Sequence, residues 1–171
     1  MTDNQEINGL AAGRLFRPAR PGKVGDAPMA QIVACPNCGR RNRVPAAAGG
    51  VPRCAVCHTA LPWLTSATDG DFEQVATRST LPVLVDLWAP WCGPCRIVEP
   101  GVERTARELA GRLKAVKVNV DEAPRTAERL GVQGIPTVVV LRGGREVARQ
   151  VGAVPPSQLL RWSEEAIAQP A

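Results

Sequence analysis

Residues 83–96 read Val-Leu-Val-Asp-Leu-Trp-Ala-Pro-Trp-Cys-Gly-Pro-Cys-Arg, and this run constrains the fold more than any other part of the chain. Its first half, residues 83–88, is apolar on both alternating faces, which suits a central strand of a parallel sheet covered on both sides. Ala89-Pro90 stops that strand. The second half opens a helix, with Cys92 and Cys95 in its first turn. A strand feeding a helix through a Cys-x-x-Cys turn belongs to α/β architectures and is the sequence cue for a dithiol redox site. A structural cysteine pair or half a metal site shares the bare Cys-x-x-Cys, but not the strand before it and the helix after it.

The chemistry of such a site needs this layout. Only a thiolate attacks a disulfide. Unpaired N–H groups at a helix start carry partial positive charge and favour an anion there. Cys92 sits where that effect is strongest and is expected to be the nucleophile. Cys95, one helical turn on, is within reach of it for a disulfide and is expected to resolve the mixed disulfide. Pro94 falls in the first turn, where its missing N–H does little harm. Asp86 is the odd residue of the strand. Flanked by Val85, Leu87 and Trp88 it is expected to be buried, its carboxyl pushed upward and able to relay a proton. The alternative is an aspartate at a solvated strand edge.

A second constellation lies upstream. Cys35-Pro-Asn-Cys38 and Cys54-Ala-Val-Cys57 leave fifteen residues between the inner cysteines, the spacing of a four-cysteine zinc site. Each pair makes a tight knuckle, and Gly39 can take the left-handed conformation after the first. A module of residues 31–60 buries little apolar surface, so Zn²⁺ would supply most of its folding energy. Structural disulfides or bound iron are the alternatives. His58, the only histidine, follows Cys57 and is either a surface residue or a substitute ligand. Six cysteines in three Cys-x-x-Cys pairs, with no secretory signal in residues 1–30, point to a reducing, cytoplasmic setting.

No stretch is long and apolar enough to span a membrane. The net charge of +5 is uneven: from Thr59 onward thirteen Lys/Arg balance thirteen Asp/Glu. The excess lies upstream, where Arg40, Arg41, Arg43 and Arg53 surround the cysteine pairs. Four thiolates on one zinc carry two net negative charges, so the arginines are weak grounds for a nucleic-acid partner.

Residues 1–30, with Gly and Pro throughout and no apolar periodicity, read as a disordered extension, and Met29 is a possible alternative start. Residues 61–64 read as a linker and residues 64–67 as a first strand. A helix is expected over 68–79, where Thr68, Asp69 and Asp71 offer caps, and the dithiol helix continues through Ile97, Val98, Val102, Ala106, Leu109 and Leu113, kinked at Pro100. Residues 114–121 alternate as a strand, 122–130 form a short helix closed by Gly131, and 138–141 and 146–151 are strands joined by a turn at Gly143-Gly144. The last helix spans 155–168.

Trp91-Cys92-Gly93-Pro94-Cys95 within its surrounding strand and helix resembles the thioredoxin active site, and residues 65–171 resemble a thioredoxin domain in element order. The four-cysteine module, with Arg41-Asn42-Arg43-Val44-Pro45 in its loop, is similar to that of the zinc-containing thioredoxin 2 group. The resemblance implies a thioredoxin fold, a central mixed sheet flanked by helices, and a monomeric protein-disulfide reductase. It implies that Asp86 assists deprotonation of Cys95 and that Lys117 lies near Asp86, although a lysine reaching to solvent is the alternative. It also implies a cis bond before Pro136, facing the cysteines. The Ile135 backbone would pair with a bound substrate chain, and Gly152 would mark a further contact loop. Trp91, Gly93, Pro94, Ile135, Pro136 and Gly152 are then the substrate-binding surface. The implied electron donor is an NADPH-fed, flavin-dependent thioredoxin reductase; this chain has no motif for binding NADPH or flavin itself. Two rivals are a zinc-module binding protein for nucleic acid or unfolded chains, and a disulfide oxidase or isomerase. Gly-Pro between the cysteines argues against the latter.

Overall fold

The computed structural model describes residues 30–169. The expected extension, apart from Ala30, and the Met29 start lie outside the described residues. Two short strands, β1 (Gln31–Ala34) and β2 (Arg41–Val44), pair antiparallel. They are followed by β3 (Leu64–Ser66), a short helical segment (Glu73–Thr77) and β4 (Val83–Trp88). Then come α1 (Cys95–Glu108), β5 (Lys114–Asn119), α2 (Pro124–Arg129), β6 (Thr137–Arg142), β7 (Arg145–Val151) and α3 (Pro156–Ala168). β3 to β7 form one mixed sheet in the order β3-β5-β4-β6-β7. β4 lies at its centre, parallel to β5 and antiparallel to β6.

The period of two along each strand decides what the site can contain. Val83, Val85 and Leu87 of β4 and Val116 and Val118 of β5 face one layer, with Phe72, Val75 and Ala123. Leu84 and Ala115 face the other, against Val98, Val102 and Ala106 of α1 and Leu159 of α3. Two and four residues beyond Leu84 come Asp86 and Trp88; two beyond Ala115 comes Lys117. All three therefore share the α1 side, and Asp86 and Lys117 are register partners. The approach of α3 to α1 depends on Gly101, where a Cβ would stand 3.0 Å from Leu159 Cδ2 and 3.1 Å from Pro156 Cα.

Several sequence expectations change. Helix 68–79 contracts to one helical turn from Thr68, then Glu73–Thr77, where the winding widens until Arg78 N–H reaches Glu73 O. Thr68 and Asp71 cap this turn as expected, Thr68 Oγ1 accepting from Gly70 N–H at 3.3 Å and Asp71 from Thr68 N–H at 2.6 Å, whereas Asp69 accepts from Thr126 N–H at 2.7 Å and caps α2 across the fold. The dithiol helix starts at Cys95, so Cys92 precedes it, and it ends at Glu108, leaving Leu113 buried beyond its end. Ile97, assigned to the apolar stripe, is instead 53% exposed beside the dithiol. α2 is shorter at both ends than 122–130.

Leu61 and Trp63, in the segment read as a linker, are buried with Cys35, Val44 and Cys54. Trp63 Nε1–H donates to Pro45 O at 3.0 Å. Lys114 is buried too, with its ammonium 4.2 Å from the Trp63 ring centroid. That ammonium donates to Ala46 O on the cysteine module's side and to Val75 O on the sheet's side. Burial pulls this lysine down to about 8. Lys114→Met keeps much of the volume but orphans two carbonyls, each costing about 1–3 kcal/mol if unpaired, offset by ending the burial of a charge. A net loss of about 1–3 kcal/mol is expected at pH 7. Because the native lysine gives up its proton near pH 8 and the unfolded one keeps it to about 10.4, the wild type gains stability through that window. Urea denaturation should therefore show the gap widening between pH 7 and pH 10.

Candidate functional site

β4 delivers the chain to the dithiol through Ala89, whose carbonyl accepts the Cys92 N–H at 3.1 Å. Cys92 and Cys95 are joined by a disulfide. The Cys95 N–H donates to Cys92 Sγ at 3.2 Å, the bond a capping serine makes to the third residue of its helix. Although Cys92 lies ahead of the first helical residue, its sulfur receives the N–H of that residue. Ala89, Cys92 and Cys95 pack together, with Trp88 and Ile135 against them.

Around the disulfide the expected contact residues converge. The Ile135–Pro136 bond is cis. Gly152 N–H donates to Pro136 O at 2.9 Å, tying the two loops together. Gly152 has φ +89 and open space where a side chain would stand, so backbone conformation rather than crowding requires glycine there. Gly93 and Pro94 are exposed. Trp91 is 70% exposed, held by a 3.0 Å hydrogen bond from Nε1 to Asp121. Trp91, Val120, Val132 and Ile135 line an apolar groove of about 320 Å³. Val151, exposed and opposite Thr137 in register, adjoins this surface. Sequence reading missed Asp121 and Val151; only the hairpin register brings the latter here.

Behind the disulfide a cleft of about 300 Å³ is lined by Asp86, Cys95, Glu99 and Lys117, among others. Asp86 is buried and its Oδ1 has no hydrogen-bond partner among the described residues. Burial pushes its carboxyl up to about 7; the Lys117 charge pulls it down and Glu99 pushes it up. Lys117 Nζ pairs with Glu99 and lies 4.9 Å from the Trp88 ring centroid. Glu99 was not singled out from the sequence, yet its place four residues after Cys95 on one helix face was a signal.

The other four cysteines form a separate cluster, every Sγ within 4.8 Å of the others. The Cys35–Cys57 and Cys38–Cys54 sulfurs are 3.5 and 3.6 Å apart, not bonded. Tetrahedral Zn–S bonds of about 2.3 Å place sulfurs about 3.8 Å apart, so this donor set fits the ion. The two knuckles repeat one another. Gly39 N–H donates to Cys35 O and His58 N–H to Cys54 O, each at 3.0 Å, with φ +71 at Gly39 and +58 at His58. His58 is thus an exposed residue in a glycine-like position and not a member of the cluster. Val56 N–H and Asn42 Nδ2 donate to Cys54 Sγ, the support a bound thiolate needs. Arg53 donates to His58 O at 3.1 Å and so helps close its own knuckle.

A dithiol joined at the mouth of a strand-to-helix turn, with an open loop surface in front and a buried acid behind, defines a thiol–disulfide oxidoreductase. Comparison with known proteins gives the family. The thioredoxin family model matches residues 63–165. Thioredoxin 1 of Nostoc sp. is 48% identical over 98 residues, 57% of this chain and 92% of that protein. The thioredoxin of Haemophilus influenzae is 46% identical over 99 residues, 58% of this chain and 92% of that one. The chloroplastic M-type thioredoxin of Chlamydomonas reinhardtii is 40% identical over 137 residues, 80% of this chain and 96% of that one. The chain belongs to the thioredoxin family and is a disulfide reductase of thioredoxin type, acting on disulfide-bonded proteins. Among the described residues, no helix is long and apolar enough to cross a membrane.

Proposed function

We propose that reduction of target disulfides runs through Cys92 and Cys95, with Asp86 as proton acceptor. In the reduced protein the Cys92 thiolate, stabilised by the Cys95 N–H, attacks one sulfur of the target disulfide. The other target sulfur leaves as a thiolate and takes up a proton. The Cys95 thiol passes its proton to Asp86 and attacks Cys92 Sγ, breaking the mixed disulfide and releasing the second target sulfur as a thiolate. Two electrons have then moved to the target, and the Cys92–Cys95 disulfide of this structure is the product. The observation that carries this reading is the unpartnered Asp86 oxygen in a cleft that also holds Cys95. Lys117 tunes Asp86. The target chain lies along the Ile135–Pro136 and Gly152 loops, against Trp91, Gly93 and Pro94.

The reading includes one Zn²⁺ held by Cys35, Cys38, Cys54 and Cys57, as in the thioredoxin 2 group. Its contribution is structural: it cross-links two knuckles that have little core of their own. Four close, unbonded thiols fit a reducing compartment such as the cytosol. Thioredoxin reductase, fed by NADPH, is the proposed electron donor.

Insulin reduction coupled to NADPH and thioredoxin reductase, run beside metal analysis of the same preparation, tests both parts. Catalytic NADPH consumption and one zinc per chain are expected. Absence of coupled turnover would overturn the donor assignment, and substoichiometric zinc in protein purified without chelators would overturn the metal site.

A further inference from the structure

Lys117 has two anions within its range. One is Asp86, its register partner on the neighbouring strand. The other is Glu99, one helical turn beyond Cys95 on α1. The ammonium takes Glu99, at the cleft mouth, where the lysine and glutamate side chains are 16% and 48% exposed. Asp86 Oδ1, deeper in the same cleft, keeps no partner among the described residues.

We propose that Glu99 is a positioning residue for the resolving step: by holding the Lys117 ammonium at the cleft mouth, it leaves Asp86 free to accept the Cys95 proton. This rests on the reading of Asp86 given above. An ammonium bonded directly to Asp86 would occupy an oxygen that must receive the proton and would make the carboxylate a weaker base. Besides Asp86, the charged and titratable groups on the cleft are Lys117 from β5, Cys92 from the turn before α1, and Glu99, Arg96 and Cys95 from α1. Across the antiparallel pairing β6 presents Val138. Burial holds the Asp86 carboxyl at about 7 against the pull of Lys117, with Glu99 pushing in the same upward sense. Loss of the Glu99 charge removes that push and releases the ammonium toward Asp86, so both consequences have one sign.

The test uses the full-length protein, with Glu99→Gln, Lys117→Met, the double variant and Asp86→Asn. Asp86 is titrated by carboxyl carbon NMR in the oxidised form. Resolution is followed as release of the second aryl thiolate from 5,5′-dithiobis(2-nitrobenzoate) across pH. Glu99→Gln should move the Asp86 midpoint and the pH profile of resolution acidward by about one unit and slow resolution severalfold at pH 8. With Lys117→Met present, the same substitution should move them far less. An unmoved midpoint with Asp86→Asn still slow would overturn the role of Glu99 and leave the role of Asp86 standing. An equal shift with and without Lys117 would also overturn it. Unimpaired resolution in Asp86→Asn would remove both.

Discussion

Cys92→Ser should abolish reductase turnover, whereas Cys95→Ser should stop the cycle one step later and leave the protein covalently bound to its target. The asymmetry follows from which sulfur the backbone serves. The Cys95 N–H points at Cys92 Sγ at 3.2 Å, so a charge forming on Cys92 meets a donor already in place. A serine hydroxyl at residue 92 is not ionised at working pH, and coupled insulin reduction should fall to background, a loss of about 10³-fold or more. In Cys95→Ser the attack proceeds, but no thiol follows to release the target. The adduct should survive non-reducing electrophoresis and vanish on adding dithiothreitol. If Cys95→Ser turned over normally and Cys92→Ser accumulated the adduct, the two roles would have to be exchanged.

The strand and the dithiol were legible because each is written in contiguous residues. An apolar run, a Pro stop and Cys-x-x-Cys need no tertiary information, and Gly143-Gly144 announces its own hairpin, both residues having positive φ. Burial of Asp86 followed from its neighbours in the strand, because a central strand leaves no solvated face. What escaped was set by partners remote in the chain. Asp69 looked like a local helix cap, yet its carboxylate closes α2 more than fifty residues away. Ile97 fitted the apolar stripe of α1, yet that position faces solvent beside the dithiol. The pairing of Glu99 with Lys117 requires knowing that α1 lies over β5. The spacing that brings Leu61 and Trp63 into the cysteine module's core is likewise invisible until the two knuckles are folded against the sheet.

Removing the charge from Asp86 should make the protein more stable and a poorer reductase at once. The acid is 2% exposed, one of its oxygens has no partner among the described residues, and burial raises its carboxyl to about 7. In the unfolded chain the same group titrates near pH 3.9. Between these values the native state holds a proton that the unfolded state has lost, so folding is progressively disfavoured as pH rises through that window. Above pH 7 the whole cost is present. Three pH units at about 1.4 kcal/mol each set it at about 4 kcal/mol. Asp86→Asn removes the charge but leaves a buried amide to be satisfied, which returns part of that gain. The oxidised variant should therefore be about 2–4 kcal/mol more stable than wild type at pH 8, with the difference shrinking toward zero by pH 4. Guanidinium denaturation at the two pH values measures this directly. A variant no more stable than wild type at pH 8 would mean that water or a mobile Lys117 already satisfies the ionised acid. The case for a buried, unsatisfied base behind Cys95 would then lose its energetic basis.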